Sequence, residues 1–391
     1  MLRNLRKPLP RRPALVAVAL AALVALTLPA GAASPDNADT TLDQALAAFV
    51  ARKDGPPGIA VVVQRDTSPV LHQAGTSVLG RDSPFQLTDH TRVASVAKAY
   101  SGATALAEVS AGKLALDSTI GGTLGSVLTD LPATWDGITL TQLLQHTSGL
   151  VDFSTSKEFH AALTANLLVP QPPAQLVSYV FADPLLFTPG SKYHYSNTDN
   201  IVVGLMVQAA TGESYESELA AKVTTPLGLT GTTLPTGIEI DEPYIHGYDI
   251  TDHANPEDVS MLFAAGWTWA SGGVVATPGD ANAFVRGYVG GELFDTATRK
   301  AQLSFRAGSS EPPGPGTNAA GLAVFRYQTK CGTFYGHTGN TPGYTQFVAS
   351  SKDGTRSAAV SVNAQITPNL NKKAFPALRR IFELAVCAAA A

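Results

Sequence analysis

"CGTFYGHTGNTPGYTQFVASSKDGTRSAAVSVNAQ" (Cys331–Gln365) holds three strand-like runs at short spacing: "GTFYGHTG", "GYTQFVASS" and "RSAAVSVNAQ". Each is rich in β-branched, aromatic and small residues. "SKDGT" supplies a D-G turn between the second and third, so neighbouring runs are expected to pair antiparallel. Near the other end, "GIAVVVQRD" and "PVLHQAGTSV" are two further β-rich runs separated by a short polar turn, the pattern of a hairpin.

Between these β regions the chain reads as helix and loop. "TLTQLLQHTSGL", "PPAQLVSYVFADP", "NTDNIVVGLMVQAATG" and "SYESELAAKVTTPLGL" carry helical patterning with Pro or Gly at their ends. "TLDQALAAFVARK" and "FPALRRIFELAVC" are amphipathic helices near the two termini. The expected fold is α/β (α+β). An antiparallel sheet flanked by helices spans about 40–92 and 281–391, and a mostly α-helical subdomain is inserted over about 93–280. "SSEPPGPGTN" (Ser309–Asn318) reads as the clearest flexible loop.

Composition narrows the function. The chain has 391 residues, 45% hydrophobic and 15% charged, with a formal net charge of −4. No basic stripe is present, which argues against nucleic acid as a partner. Arg3, Arg6, Lys7, Arg11 and Arg12 precede the apolar run Ala14–Ala30, and small residues follow. That is the pattern of a signal peptide over 1–32, cleaved near Ala32, so the mature protein over 33–391 is expected to be secreted, with no membrane anchor left. In an oxidising compartment Cys331 and Cys387 are most simply one disulfide; two buried thiols are the other reading.

Three S-x-x-K pairs occur: Ser95/Lys98, Ser110/Lys113 and Ser154/Lys157. Ser110 falls at the end of a helix, where the dipole opposes an oxyanion. Ser154 lies in a polar stretch that looks exposed. Ser95 opens the helical stretch "TRVASVAKAYSGATALAEV" (Thr91–Val109), where free N–H groups favour developing negative charge. Lys98 is one turn away on the same face, and its neighbours Ala and Val would desolvate it and lower its pKa. A helix cap with a surface lysine is the alternative. "YHYSNTDN" offers Tyr195 as a proton relay and Asn197 as an amide that orients a substrate. "YGHTGNTPGY" offers His337 and Thr338, a cation and a hydroxyl for a substrate carboxylate, with Gly339 allowing close backbone approach. No G-x-S-x-G around a serine, H-E-x-x-H or G-x-x-x-x-G-K-[ST] is present, so no metal or nucleotide cofactor is expected.

Taken together, S-x-x-K, Y-S-N and H-T-G in this order resemble the serine β-lactamase and penicillin-binding superfamily. "HTSGL", "YSNTDNIVVGLMVQAATG" and the opening stretch resemble the branch of class C β-lactamases and secreted actinomycete D-alanyl-D-alanine carboxypeptidases. The resemblance implies Ser95 as acylated nucleophile, Lys98 as its activator, Tyr195 as proton shuttle and Asn197 as substrate-orienting amide. It implies that His337, Thr338 and Gly339 line the substrate strand, and that the N–H groups of Ser95 and Asn340 form the oxyanion hole. It also implies that Trp267 lines the cleft. Two positions depart from the peptidase pattern. Asn340 stands where those enzymes have Thr, and Val324 aligns with an arginine that holds the substrate's carboxylate. Arg326, two residues on, is the expected substitute. The implied activity is that of a serine D-alanyl-D-alanine carboxypeptidase acting on peptidoglycan peptides and inhibited by β-lactams; the alternative is an esterase or β-lactamase on the same scaffold, acting on small esters or amides. A non-catalytic binding module is the remaining reading.

Overall fold

The computed structural model describes residues 34–391, and the expected signal peptide lies outside the described residues. The opening stretch forms strands Gly332–Thr341, Tyr344–Ser350 and Ser357–Val362, paired antiparallel in succession. In chain order the main sheet comprises β1 (Gly58–Gln64), β2 (Val70–Gly75), β3 (Arg306–Ala307), β4 (Thr317–Ala320), β5 (Phe325–Thr329), β6 (Gly332–Thr341), β7 (Tyr344–Ser350) and β8 (Ser357–Val362). The spatial order is β2-β1-β8-β7-β6-β5-β4-β3, so the N-terminal hairpin joins the C-terminal strands through β1 and β8. β1, β7 and β8 are buried along their whole length, as continuous apolar or small-residue runs require when both faces are covered.

Two layers cover the faces. Helices α1 (Pro35–Val50) and α5 (Phe375–Ala390) pack on one side, with Leu42, Leu46, Phe49, Leu378, Phe382 and Ala385 in a shared core. The other side takes α2 (Ala97–Ser110), α3 (Asn197–Thr211) and α4 (Pro278–Gly290). α3 ends at Gly212 with φ 80°, the left-handed cap that a glycine supplies without steric cost. Cys331 and Cys387 form the disulfide, with Cα atoms 5.0 Å apart, joining the start of β6 to α5. Among the described residues, no helix is long and apolar enough to cross a membrane.

One expectation fails here. Ser309–Asn318 is not a loose loop but a pinned strap. Asn318 Oδ1 accepts from Ser309 Oγ and Gly314 N, Arg379 Nε donates to Gly314 O at 2.8 Å, and Thr338 Oγ1 donates to Pro312 O at 2.6 Å. Proline and glycine signal irregular backbone; they do not signal whether distant side chains fasten it.

Candidate active site

Ser95 does not lie in the α-helix itself. It occupies a single 3₁₀ turn, Ala94–Val96, and α2 begins at Ala97. Ala94 has φ 51°, a left-handed conformation uncommon for a residue with a Cβ and of the kind found at functional turns. Between Thr91 and Glu108 every residue is buried except Ser95, which is half exposed. The fold thus buries the helix and presents one hydroxyl.

Lys98 is fully buried, and its Nζ meets three oxygens: Asn197 Oδ1 at 2.6 Å, Ser271 O at 2.7 Å and Ser95 Oγ at 3.1 Å. The first two are carbonyl oxygens and only accept. They claim two N–H bonds, and the third position faces the serine. In the neutral amine that position is the lone pair, poised to take the Ser95 proton. Burial lowers the lysine from 10.5 to about 7, against the pull of Asp152, Glu311 and Asp199.

Asn197 is held as firmly as it holds. Its Nδ2 donates to Asp152 Oδ2 at 2.9 Å and to Ser154 Oγ at 3.2 Å, and its backbone N–H donates to the same Asp152 oxygen at 3.0 Å. Ser154 therefore enters the site as a partner of Asn197. Ser110, in the second S-x-x-K pair, accepts from Asp295 N at the far end of α2. Tyr195 is buried, and Lys98 Nζ lies 5.1 Å from its ring centroid. Burial raises the phenol well above its usual range, while the nearby Ser95 side chain pulls the other way, so Tyr195 carries its proton. Its ring packs 4.5 Å from that of His146, whose Nδ1 lies 2.8 Å from Asp199 Oδ2. Burial disfavours charge on both members of that pair. Asp152, Asp199, His146 and Ser271 were not assigned roles from the sequence. The signal was a carboxylate in "GLVDF" and another inside an apolar helix, each of which needs a partner when buried.

β6 runs past the serine. A Cβ at Gly339 would come 2.5 Å from Val93 O and 2.9 Å from Ser95 N, so only glycine fits. β6 pairs with β7 through Thr341 but with β5 only as far as Gly336. Residues 337–341 therefore keep one strand edge without a strand partner, beside Ser95.

Three expectations are corrected. His337 is fully buried, with ring centroids of Phe325 at 5.0 Å and Tyr195 at 6.3 Å. Burial, with the nearby lysine, lowers it to about 3, so it is neutral and offers no positive charge to a carboxylate. Its neighbour Thr338 spends its hydroxyl on Pro312 O. Trp267, expected to line the cleft, is fully buried, donates to Asn166 O at 3.2 Å and packs on Phe159. It is a core residue, because the helical layer closes over it. Val324 is fully buried in the core. Arg326 pairs with Tyr335, four residues before Gly339, and its guanidinium rests 5.1 Å from the Phe305 ring centroid. Asn340 bridges instead, donating to Glu311 O at 3.4 Å and accepting from Gln365 Nε2 at 2.7 Å.

The sequence profile of the Beta-lactamase family matches residues 42–381. The chain belongs to this family. Its relatives include an Escherichia coli (strain K12) protein named "Putative D-alanyl-D-alanine carboxypeptidase", 26% identical over 61% of this chain and 50% of its own length. "Penicillin-binding protein 4" of Amycolatopsis lactamdurans is 29% identical over 46% of this chain and 45% of its own length. The chain thus spans about half the length of these curated relatives. Among solved structures, a D-stereospecific amidohydrolase from Streptomyces sp. is 27% identical with TM-score 0.74, covering 87% of this chain and 98% of that one. The penicillin-binding protein from Bacillus halodurans shares the fold at 19% identity and TM-score 0.69, with 86% and 98% covered. The antiparallel sheet flanked by helices is the fold these neighbours share with this Beta-lactamase-family chain.

Proposed function

We propose that the chain hydrolyses amide bonds of small amides or short peptides through an acyl-enzyme on Ser95. The observation that carries this reading is the Lys98 amine, fully buried and held by two carbonyl oxygens with its third position on Ser95 Oγ. Neutral Lys98 takes the serine proton as Oγ attacks the carbonyl. The oxyanion is received by the N–H groups of Ser95 and Asn340, on the turn and strand that Gly339 brings together. Tyr195 donates its proton to the leaving amine and is reprotonated from Lys98, and the reverse relay activates water for deacylation. The substrate backbone pairs with the unpartnered edge of residues 337–341.

The neighbour that is a D-stereospecific amidohydrolase supports the amide class over its whole length. Carboxypeptidase action on D-Ala-D-Ala ends is the second reading, favoured by H-T-G and by the name of a relative. It lacks the cation that a terminal carboxylate needs, since position 324 is a buried valine and His337 is neutral. Export follows from the leader pattern and fits an extracellular or periplasmic substrate.

The test is covalent trapping. Wild-type protein treated with benzylpenicillin should gain one penicilloyl adduct by intact mass, and should release a burst of nitrophenolate from p-nitrophenyl acetate. Ser95→Ala should do neither. Equal labelling of the variant would move the nucleophile elsewhere.

A further inference from the structure

The strap beside Thr338 and Asn340 carries a carboxylate that the Ser95 chemistry leaves idle. Glu311 sits on the strap Ser309–Asn318. Its own carbonyl accepts from Asn340, the next carbonyl accepts from Thr338, and Tyr193 Oη donates to Ser309 O. The strap is thus fastened through the Thr338 and Asn340 side chains to β6 on both sides of Gly339. The Glu311 side chain is exposed, and its carboxylate forms no hydrogen bond or ion pair within the described residues. Asp152, the other acid nearby, differs. Its Oδ2 takes two bonds from Asn197 and its Oδ1 one from Ser154 N. Glu311 is near enough to act on Lys98, Tyr193 and Tyr195, and Asp152, His194 and Lys98 act on it in turn.

We propose that Glu311 is a specificity-determining residue that selects substrates with a free, cationic α-amino group on the residue whose carbonyl Ser95 attacks. The inference rests on the acyl-enzyme reading and adds the substrate class, α-amino amides and short peptides with a free amino terminus. The α-amino group stands two bonds from the attacked carbonyl. Glu311 is tied by its own carbonyl to Asn340, the residue after the glycine that meets the Ser95 turn, which puts the root of its side chain beside the place where that ammonium would lie. The same charge repels a carboxylate at this position, where neutral His337 and buried Val324 offer nothing to offset it.

The experiment compares kcat/KM for D-phenylalanine amide and N-acetyl-D-phenylalanine amide in wild type, Glu311→Gln and Glu311→Arg. Diacetyl-L-Lys-D-Ala-D-Ala is the carboxylate-ended probe, and the p-nitrophenyl acetate burst counts active Ser95 in each protein. Wild type should prefer the free amine, and Glu311→Gln should cut that preference about three- to tenfold, the range for a partly exposed charged hydrogen bond. Glu311→Arg should move selectivity toward the carboxylate-ended peptide. A full burst with the same amine preference in all three proteins would overturn the role of Glu311 and leave the Ser95 reading standing. So would a wild type that prefers the acetylated amide. A wild type with no burst would overturn the Ser95 reading, and this inference with it. Because Glu311 is exposed, the burst amplitude of Glu311→Gln decides the matter even if the arginine variant folds poorly.

Discussion

Replacing Lys98 by Met tests the electrostatics of the site through stability. The Lys98 pKa falls from 10.5 in the unfolded chain to about 7 in the fully buried site. At about 1.4 kcal/mol per unit, that is roughly 5 kcal/mol of linked free energy. The sign follows from proton counts. Between pH 7 and 10.5 the unfolded lysine binds a proton and the native one does not, so stability rises with pH. The contribution is fully present above 10.5 and is lost as pH falls through about 7. Met carries no such linkage, though it leaves Asn197 Oδ1 and Ser271 O without a donor, a pH-independent cost of about 1–3 kcal/mol each. Urea unfolding of both proteins should show wild type gaining on the variant by about 1.4 kcal/mol per pH unit between pH 7.5 and 10. A difference flat over that range would refute the depressed lysine, whatever its intercept. The same pKa predicts that kcat/KM for the neutral ester p-nitrophenyl acetate rises up to pH 7 and then levels. A limb near pH 10 would contradict it.

Two further outcomes follow. Gly339→Ala puts a Cβ 2.5 Å from Val93 O, so β6 must move off the Ser95 turn. Acylation by p-nitrophenyl acetate should slow about 100-fold, as expected for a misplacement of about 1 Å, with stability lowered by about 1–3 kcal/mol. Wild-type burst rates in this variant would show that the close approach does not matter. Cys331→Ala/Cys387→Ala opens a loop of 56 residues' separation, and should cost about 2–4 kcal/mol in urea unfolding under oxidising conditions. No loss would mean that the packing of α5 on the sheet is sufficient by itself.

The sheet was legible because its strands are local patterns. β-rich runs at both ends, and the D-G turn before β8, are visible without knowing what they touch. The proposed nucleophile was legible only in company. Ser95 was chosen among three S-x-x-K pairs by its place at a helix start, and the structure agrees in placing Ser110 at the opposite end of that helix. What failed to read was burial of single side chains. Trp267 looked like a cleft aromatic and His337 like a cation; both are fully enclosed. Val324 falls just before β5, so the shared face expected for Arg326 has no strand to rest on, and its guanidinium lies over Phe305.

The sequence by itself determined the elements, their order and the side-chain types of the candidate site: a hydroxyl, an amine one helical turn away, a phenol and an amide a hundred residues on, and a glycine in a strand. Tertiary structure alone decided their protonation and the charge of the cleft. Desolvation and Coulomb energies sum over atoms from many elements. Lys98 answers to Ser271, Asn197, Asp152 and Glu311, which come from four separate parts of the chain. The strap was the plainest instance. Its Pro and Gly content predicted irregular backbone, and only its bonds to Thr338, Asn340 and Arg379 turned it into a fixed wall carrying Glu311.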